Sequence, residues 1–439
     1  MEVLVKKKKK KSRIAGIMIR LAISLLIFLI VSELMLAIFF PQPTYALLEK
    51  RLPKIYQEDD LLPWNLIPNI TVTDHSVFNE FKTTMTINEA GFRDDKYEFE
   101  IEDDSLRLLC LGDSMTIGLG VEYNETYCYK TGQKIAKETG KRVQVMNAGY
   151  ASGYTFDSAY LFLREWHDYL KPDFVSYGLY VWNDLEEAQT HRYTYDEEGN
   201  LIRIQSNTIL INENHQQQYI QANIKYKSLN SIHLFLNKYS NFYVLIKNIF
   251  KPTILKHFAA NVERNLVYYD NPKNEMHWEY AGTFFKKIDD LCKEKGSEFV
   301  IIDIPARHEV DLSRHQTEII KPYHLEGKDI DIDLPTDRFN EMCNRSEVRC
   351  IPAIYEYRRR NDDNDFYFNI DGHINADGHE LTAEILSRYL LTQIIQPDDL
   401  SGYRVEGPSA MNDLLCENQK TQPYLTACGG WVFGPENIP

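Results

Sequence analysis

From residue 106 onwards, short apolar runs alternate with segments that have the periodicity of a helix. The apolar runs are residues 106–111, 143–146, 173–181 and 298–304. Helices are predicted for residues 125–139, 156–170 and about 378–395. Short apolar strands that alternate with helices are typical of a parallel sheet that is covered on both faces. The sequence therefore predicts an α/β domain over residues 105–395.

Residues 186–297 interrupt this alternation and are predicted to form an insertion. They contain a predicted hairpin over residues 193–204 and a predicted helix over residues 231–250, which Pro252 ends. Insertions of this kind often form lids or cleft walls over the carboxyl ends of the strands, and a surface elaboration is the alternative. After the last helix, residues 396–439 are rich in Gly, Pro and Asn, which predicts a loosely packed tail.

The N-terminus has the pattern of a membrane anchor. Residues 14–40 are predominantly apolar and only Arg20 and Glu33 among them are charged; as a helix they extend about 40 Å, enough to cross a bilayer with a tilt. Six consecutive lysines precede them, and positive charge stays on the cytoplasmic side. We therefore expect residues 1–13 to be a basic cytoplasmic arm and the body to lie outside, in the periplasm or the extracellular space. A cleaved signal peptide is the alternative.

Residues 41–104 lie between the predicted anchor and the α/β domain. They are rich in Pro, Asn and Asp and contain no long periodic helix. We interpret them as a linker plus an N-terminal extension that folds against the body. The segment from Asn88 to Arg93 predicts a turn with a buried Phe92.

The composition excludes two classes of function. The formal net charge is −15 in spite of the lysine run, which argues against nucleic acid as a partner because such proteins carry a basic stripe. The seven cysteines include no CxxC pair and no His/Cys cluster with zinc spacing, so no metal site is predicted. Outside the membrane, disulfides are allowed. Cys343 with Cys350 and Cys416 with Cys428 are the plausible local pairs, although the sequence leaves the connectivity open.

Polar residues stand at two positions where the domain could carry out chemistry. Ser114 follows the first strand and precedes a helix, where backbone donors favour a nucleophile whose attack creates an oxyanion. Asp371 and His373 come just before the last helix. Residues two apart in extended backbone point the same way, so the carboxylate can orient or charge the imidazole.

Two further segments supply candidate hydrogen-bond donors. Residues 147–155 follow the second strand and contain Gly149 and Gly153, which permit close approach of the backbone to a ligand. Asn183 follows the third strand, and its amide can donate to a developing negative charge.

The order and spacing of these segments resemble the sequence blocks of the SGNH/GDSL hydrolases. The blocks are Leu-Gly-Asp-Ser, Asn-Ala-Gly, a strand-end Asn-Asp, and an Asp-Gly-His before the last helix. The upstream segment from Asn88 to Arg93 also resembles one that precedes the Gly-Asp-Ser strand in membrane-anchored bacterial members. The resemblance implies a flavodoxin-like three-layer α/β/α sandwich with a parallel sheet. It also implies serine-dependent acyl-ester chemistry without a metal or nucleotide cofactor.

Residue by residue, the resemblance implies that Ser114 is the nucleophile, His373 the general base and Asp371 its partner. The family commonly spaces the last pair Asp-x-x-His, whereas this chain has Asp-x-His and carries Ile370 at the expected Asp position.

The resemblance also implies an oxyanion hole. Its donors would be the Ser114 backbone N–H, the Gly153 backbone N–H and the Asn183 side chain, with Gly149 as the alternative to Gly153.

Two other segments offer alternative histidines. Asp377 and His379 repeat the Asp-Gly-His triplet and are an alternative catalytic pair, although we expect Asp377 to lie near the N-cap of the last helix. His308, after the fourth strand, is a candidate cleft residue, and a solvated loop histidine is the favoured interpretation.

Together these features predict an extracytoplasmic, membrane-anchored serine esterase that hydrolyses acyl esters, O-acetyl esters among them. An O-acetyltransferase that acts on a cell-surface polysaccharide is one alternative, in which the aromatic-rich insertion would stack sugars. A non-catalytic envelope scaffold is another, since the altered Asp spacing is also what a lost activity would leave.

Overall fold

A computed structural model of the chain describes most of the sequence. The described residues are 2–51, 54–76, 79–94, 98, 104–150, 153–207, 209–211, 217–219, 227–255, 267–321, 325–327, 330–361 and 365–394. The chain divides into two compact units, Met1–Ser387 and Arg388–Pro439. The features described below belong to the first unit, apart from the end of the last helix after Ser387. The predicted tail, residues 396–439, lies outside the described residues.

Two helices and two small antiparallel hairpins precede the α/β domain. They are α1 (Glu2–Phe39), α2 (Tyr45–Arg51), β1 (Tyr56–Gln57), β2 (Asn65–Leu66), β3 (Ile70–His75) and β4 (Lys82–Ile87). Within the described residues, α1 contains one stretch long and apolar enough to cross a membrane, Gly16–Phe39, and the body buries none of its most apolar part. Strand β1 pairs with β2, and β3 pairs with β4. The predicted extension is therefore folded, and Trp64 and Phe92 belong to the hydrophobic core.

The domain itself begins with three strands connected through helices. These elements are β5 (Leu106–Gly112), α3 (Ser114–Ile117), a 3-10 turn (Tyr123–Glu125), α4 (Tyr127–Thr139), β6 (Val143–Gly149), α5 (Phe156–Leu170), β7 (Phe174–Leu179) and α6 (Val181–Ala188). Helix α5 ends where predicted because Lys171 adopts a left-handed conformation and Pro172 cannot continue the helix.

The insertion contains the predicted hairpin and two helices where one was predicted. Its elements are β8 (His191–Tyr195), β9 (Leu201–Ser206), β10 (Ile209–Ile211), β11 (Gln217–Tyr219), α7 (Lys227–Tyr239) and α8 (Asn241–Leu255). The single helix predicted over residues 231–250 is thus wrong: a break at Ser240 separates α7 from α8. The stop at Pro252 is also wrong, because Pro252 lies within α8.

The remaining elements complete the sheet and its cover. They are α9 (Pro272–Lys295), β12 (Glu298–Asp303), α10 (Arg307–Val310), α11 (Leu312–Arg314), a π-helical turn (His315–Ile320), α12 (Leu334–Ser346), β13 (Cys350–Ile351), α13 (Ile354–Arg360) and α14 (Ala376–Ile394). Helix α9 begins at the N-cap Asn271 and ends at Gly296. It packs on α5 and β12, so the last part of the predicted insertion, residues 186–297, belongs to the main fold.

Five parallel strands form the central sheet in the order β13-β12-β7-β5-β6. Counted in chain order, this is the 2-1-3-4-5 arrangement of flavodoxin-like folds, read from the other edge. Helices α5, α9 and α12 pack together on one face. On the other face α14 is joined to α4 by ion pairs of Glu380 with Lys130 and Lys134, and to α13 by the Tyr357 hydroxyl. The predicted three-layer α/β/α architecture is confirmed.

The order of strands creates a switch point between β5 and β7. The chain leaves β5 toward one edge of the sheet and returns to β7, which then leads to the other edge. Ligands of open α/β sheets bind at the carboxyl ends of strands at such a point. Ser114 follows β5 and Asn183 lies in α6 just after β7, so the fold brings both to this edge.

Two disulfides tie elements of this fold together. One joins Cys343 to Cys350, a pair that the sequence made plausible. The other joins Cys110 in β5 to Cys128 in α4, a pair that the local spacing did not suggest. Cys292 is a buried free thiol, and the proposed Cys416–Cys428 pair lies outside the described residues.

Arg93 links the N-terminal extension to the turn that follows Ser114. Its buried guanidinium donates to the backbone carbonyls of Ile117, Gly118 and Val121. The carbonyls of Ile117 and Val121 thereby gain a partner away from water, and the Gly118 carbonyl, which also accepts from the Val121 N–H, gains a second one.

We expect Arg93→Met to lower the free energy of unfolding by about 3 kcal/mol or more, since each buried acceptor left unpaired costs roughly 1–3 kcal/mol. Urea unfolding monitored by tryptophan fluorescence measures this. The matched control is Arg164→Met, a more exposed arginine whose ion-pair partner is its neighbour Glu165. We expect it to change stability by about 0.5 kcal/mol or less. Equal losses in the two variants would contradict the role of Arg93.

Candidate active site

Three glycines at the carboxyl ends of adjacent strands make room for Ser114. Gly112 of β5 is in register with Gly149 of β6 and Gly178 of β7. A Cβ atom on Gly112 would lie 2.2 Å from the Thr116 hydroxyl, and one on Gly149 would lie 2.2 Å from a backbone nitrogen of α3. Gly112 also has a φ of 145°, which side chains disfavour. The short helix α3 can therefore sit directly on the end of the sheet.

The turn into α3 fixes Ser114. The Asp113 carboxylate accepts a hydrogen bond from the Met115 backbone N–H at 2.9 Å and caps the helix. Ser114 is the first residue of α3, so its own backbone N–H has no acceptor within the helix.

The side chains of Ser114, His373 and Asp371 form a continuous hydrogen-bonded line. His373 Nε2 lies 2.8 Å from Ser114 Oγ, and His373 Nδ1 is hydrogen-bonded to Asp371 Oδ1. Because an ionised carboxylate only accepts, Nδ1 carries the proton and Nε2 can accept from the hydroxyl. The structure thus brings together the three residues that the sequence named for a triad.

The Asp-x-His spacing is accommodated by the residue between the pair. Gly372 has a φ of 89°, which allows the chain to turn so that the Asp371 carboxylate reaches the imidazole. Ile370, at the position where the resemblance placed the acid, has a side chain that is 55% exposed. In this geometry Asp371 takes the place next to His373 that the longer spacing would give to residue 370.

Glu80 and Arg307, which are far from it in the sequence, form hydrogen bonds with the backbone of the loop that carries Asp371 and His373. The Glu80 carboxylate accepts from the backbone N–H groups of Ile370 and Asp371 at 2.9 and 2.8 Å. Arg307 donates to the carbonyls of Phe368 and Asn369 at 3.1 and 2.7 Å. Sequence reasoning missed both, since an isolated charged residue in a loop carries no motif.

The electrostatics of the line favour a charged imidazolium. Burial disfavours the charged form of His373, but the hydrogen bond and charge of Asp371 outweigh it, so the pKa of His373 is raised. Burial also acts against ionised Asp371, yet its hydrogen bond with His373 outweighs burial and lowers the pKa of Asp371. Beside them, burial raises the pKa of Asp113 to about 6.

The Asn183 side chain and the two glycine N–H groups considered as oxyanion donors already have hydrogen-bond acceptors within the protein. Asn183 lies in α6 with its amide nitrogen 3.4 Å from Asp113 Oδ2. The Gly153 N–H donates to Glu187 Oε2 at 2.5 Å, so this donor is already engaged. The Gly149 N–H is also engaged, by Asn147 Oδ1 at 3.0 Å. Neither glycine N–H is free in this arrangement, and Ala151 and Ser152 between them lie outside the described residues.

Gly153 is held from its other side by the insertion. His191, at the start of β8, hydrogen-bonds to the Gly153 carbonyl at 3.0 Å and to the buried Asp157 carboxylate at 2.6 Å. Burial disfavours charged His191, but the charge of Asp157 outweighs it and raises the pKa of His191. The hairpin of the insertion is therefore part of the support of the site, which its sequence did not reveal.

Glu187 is a carboxyl group that sequence reasoning did not single out. It lies in α6 one turn after Asn183, and burial raises its pKa to about 7. Near neutral pH this group changes charge beside the expected oxyanion donors.

The alternative histidines have other roles. His379 is buried, and its Nδ1 accepts from the Tyr127 backbone N–H at 3.1 Å, so Asp377 and His379 do not form a second pair at Ser114. Asn375, not Asp377, caps α14 by accepting from two backbone N–H groups. The solvated-loop interpretation of His308 is wrong: it is buried against Trp182, and burial lowers its pKa to about 3.

No group of three or more His, Cys, Asp or Glu side chains in the described part of the chain could hold a metal ion. What the assembled groups can supply is a hydroxyl nucleophile, a base and hydrogen-bond donors.

No family model matches the sequence, and a search of curated proteins finds no match. Several solved structures are similar at low identity. A lipolytic protein of the G-D-S-L family from Veillonella parvula is 11% identical, with 66% of this chain and 100% of that chain covered and a TM-score of 0.33. The acetylxylan esterase Axe2 from Geobacillus stearothermophilus is 11% identical, with 67% and 100% covered and a TM-score of 0.32. TesA is 10% identical, with 66% and 99% covered and a TM-score of 0.34. Since these scores are low, we take the site from the chain's own geometry.

We expect Asp371→Asn to lower the pKa of His373 by about 1–3 pH units, because the carboxylate is the main group that favours the imidazolium. An NMR titration of the histidine ring protons, assigned with His373→Ala, measures this. The matched control is Asp377→Asn, which removes the acid of the repeated triplet and should leave the His373 titration unchanged. An unchanged titration in Asp371→Asn would contradict the pairing.

Proposed function

We propose that this protein is a serine esterase that hydrolyses acyl esters, with Ser114 as the nucleophile, His373 as the general base and Asp371 as its orienting acid. The observation that carries the proposal is the 2.8 Å contact between Ser114 Oγ and His373 Nε2, with Asp371 bonded to the opposite ring nitrogen. A nucleophile within reach of a base that a third group orients is the arrangement that activates a hydroxyl.

The reaction would run in two halves. Ser114 Oγ attacks the ester carbonyl carbon while its proton moves to His373 Nε2. The tetrahedral intermediate then expels the alcohol, which takes that proton, and leaves an acyl group on Ser114. A water molecule attacks the acyl group in the same way, giving its proton to His373. His373 then returns this proton to Ser114 Oγ as its bond to the acyl carbon breaks, which releases the carboxylic acid and restores the Ser114 hydroxyl.

The negative oxygen of the intermediate needs donors. We favour the Ser114 N–H, which has no acceptor within α3, and the Asn183 amide, whose hydrogen bond to Asp113 is long at 3.4 Å. The Gly153 N–H could donate to the oxyanion only after its hydrogen bond to the Glu187 carboxyl group is broken. In this proposal the Glu187 carboxyl group and the oxyanion of the substrate compete for the Gly153 N–H.

The intact line of three side chains favours an enzyme over a non-catalytic scaffold. A scaffold has no need for a hydroxyl, an imidazole and a carboxylate in hydrogen-bonded order. The acyl group and the alcohol are left open, and O-acetyl esters are the substrates with which we would begin.

The proposed location is the outer face of a membrane, with α1 as an uncleaved anchor. The apolar stretch Gly16–Phe39 and the lysine run before it support this topology. The disulfides Cys110–Cys128 and Cys343–Cys350 support an oxidising compartment for the body.

We expect Ser114→Ala to abolish hydrolysis of p-nitrophenyl acetate and labelling by a fluorophosphonate probe, since both require the hydroxyl. The assay uses the full chain in detergent, and mass spectrometry locates the labelled residue. Ser313→Ala, which changes an exposed serine in α11, is the matched control and should behave as the parent. Hydrolysis by Ser114→Ala at the parent rate would refute the mechanism. Turnover that depends on an added sugar acceptor would instead indicate a transferase.

We expect Glu187→Gln to raise kcat/KM at pH 8 by about tenfold, the effect of roughly 1.4 kcal/mol on the barrier. With a pKa of about 7, Glu187 is mostly ionised at pH 8, and its charge would oppose the oxyanion. At pH 6 it is mostly protonated, so the variant and the parent should differ little. Glu186→Gln, a change at the exposed neighbouring position of α6, is the control. A lower kcat/KM for Glu187→Gln at pH 8 would show that Glu187 assists the reaction.

A further inference from the structure

Glu33, a charged residue in the outer part of the apolar helix α1, is hydrogen-bonded to the start of helix α8. The Glu33 carboxylate accepts hydrogen bonds from the start of α8: from the backbone N–H groups of Asn241 and Phe242 at 2.5 and 3.1 Å. It also accepts from the Asn241 amide at 3.0 Å and the Ser240 hydroxyl at 2.8 Å. These backbone groups have no acceptor within α8, so Glu33 caps that helix from another part of the chain.

Other contacts fix where along α1 the two helices meet. The rings of Phe28 and Phe242 are 6.2 Å apart, edge to face, and the Gln42 backbone N–H donates to Asn241 Oδ1 at 2.8 Å. Glu33 lies six residues before Phe39, the end of α1, which is about 9 Å along a helix. The turn between α7 and α8 therefore lies beside the apolar stretch and not beyond its end.

Polar side chains of α7 and α8 bond to one another. His233 Nδ1 is 2.6 Å from the Tyr243 hydroxyl, and the Asn237 amide is 2.9 Å from His233 Nε2. Lys247 Nζ donates to Asn237 Oδ1 at 2.5 Å. Asn237 itself is almost completely buried. These four polar side chains thus find partners within the helix pair, two of the bonds crossing from α7 to α8.

Large apolar side chains of the same helices point away from the protein. Their exposed fractions are 63% for Ile232, 62% for Phe235, 55% for Tyr239 and 57% for Ile249. A helix pair in water normally places apolar residues inside and polar residues outside. In this pair the four exposed apolar side chains and the buried Asn237 reverse that pattern, while the buried Val244 and the exposed His233 and Asn248 follow it. An outer surface with this many large apolar side chains suits a surrounding of hydrocarbon.

We propose that α7 and α8 form a helix pair that lies in the outer leaflet of the membrane beside α1, with Glu33 as the group that fastens it there. The occupant of the apolar surface is lipid, because the surface is continuous with the stretch of α1 that is itself apolar and exposed. The inference rests on the membrane anchor proposed above. It gives the insertion a second membrane contact and explains why a carboxylate is tolerated in the span.

Nitroxide labels in the full chain test this in phosphatidylcholine vesicles. The labels are placed through Leu26→Cys in α1, Phe235→Cys in α7 and Leu312→Cys, an exposed apolar position of α11 in the body. The labelled parent chain gives the background of its native cysteines. We expect the labels at positions 26 and 235 to be accessible to oxygen and protected from a water-soluble nickel chelate, and the label at position 312 to show the opposite.

Each other result overturns the proposal in a distinguishable way. If the label at position 26 shows the accessibility expected in lipid and the label at position 235 that expected in water, the helix pair is not in the membrane, while the proposed anchor α1 is supported. If position 235 is protected from both reagents, protein and not lipid covers the surface. If position 26 reads as water, the anchor and the inference fail together. Hydrolysis of p-nitrophenyl acetate by the same samples reports the proposed activity separately.

The variant Glu33→Leu tests whether the hydrogen bonds of Glu33 keep the helix pair α7 and α8 beside α1. Loss of the carboxylate removes the acceptor of four donors at Ser240, Asn241 and Phe242. We expect the nickel accessibility of the label at position 235 to rise several-fold, while the label at position 26 stays in lipid. Glu33→Gln keeps an acceptor oxygen and should produce a smaller rise. No rise in Glu33→Leu would overturn the role of Glu33.

Discussion

The close approach of α3 to the end of the sheet is the constraint on which the site depends. Gly112, Gly149 and Gly178 stand side by side on three strands, and a methyl group on any of them would meet atoms of α3, of the residues that support it, or of a neighbouring strand. Without that row of glycines α3 would sit farther from the strand ends. The Ser114 hydroxyl would then lie out of reach of an imidazole delivered by the loop before α14.

The charge distribution around Ser114 is the second organising feature. Acidic groups surround the imidazole: Asp371 bonds to it, while Asp113 and Asp74 act on it at longer range. This surplus stabilises the imidazolium, which in the proposed mechanism would help the proton transfer from Ser114. It also opposes any further negative charge, so an oxyanion at this position depends strongly on its donors. Burial compensates in part, because it raises the pKa of Asp113 to about 6 and that of Glu187 to about 7.

The sequence was sufficient for the features that local chemistry determines. The positions of β5, β6, β7 and β12 and both boundaries of α5 follow from apolar runs and from Pro172, although β6 extends to Gly149 and β7 ends at Leu179, so that α6 begins at Val181 inside the predicted third strand. Spaced polar residues and the family resemblance indicated Ser114, Asp371 and His373, which the structure brings together. Strand β13 was missed because two residues give no periodicity, and the break at Ser240 was missed because Glu33, some two hundred positions away, supplies the cap of α8. Glu80 and His191 were missed for a related reason: each acts on a backbone group that only the tertiary structure brings near.

The bond between Cys110 and Cys128 ties the strand that leads to Ser114 to the helix behind it. Cys110 is two residues before Gly112, so the cross-link lies close to the turn that carries Ser114. Thiols stay reduced in most cytoplasms and oxidise after export. If the body is exported as proposed, this cross-link would form only after the chain leaves the cytoplasm, and the strand that leads to Ser114 would reach its final covalent state outside it.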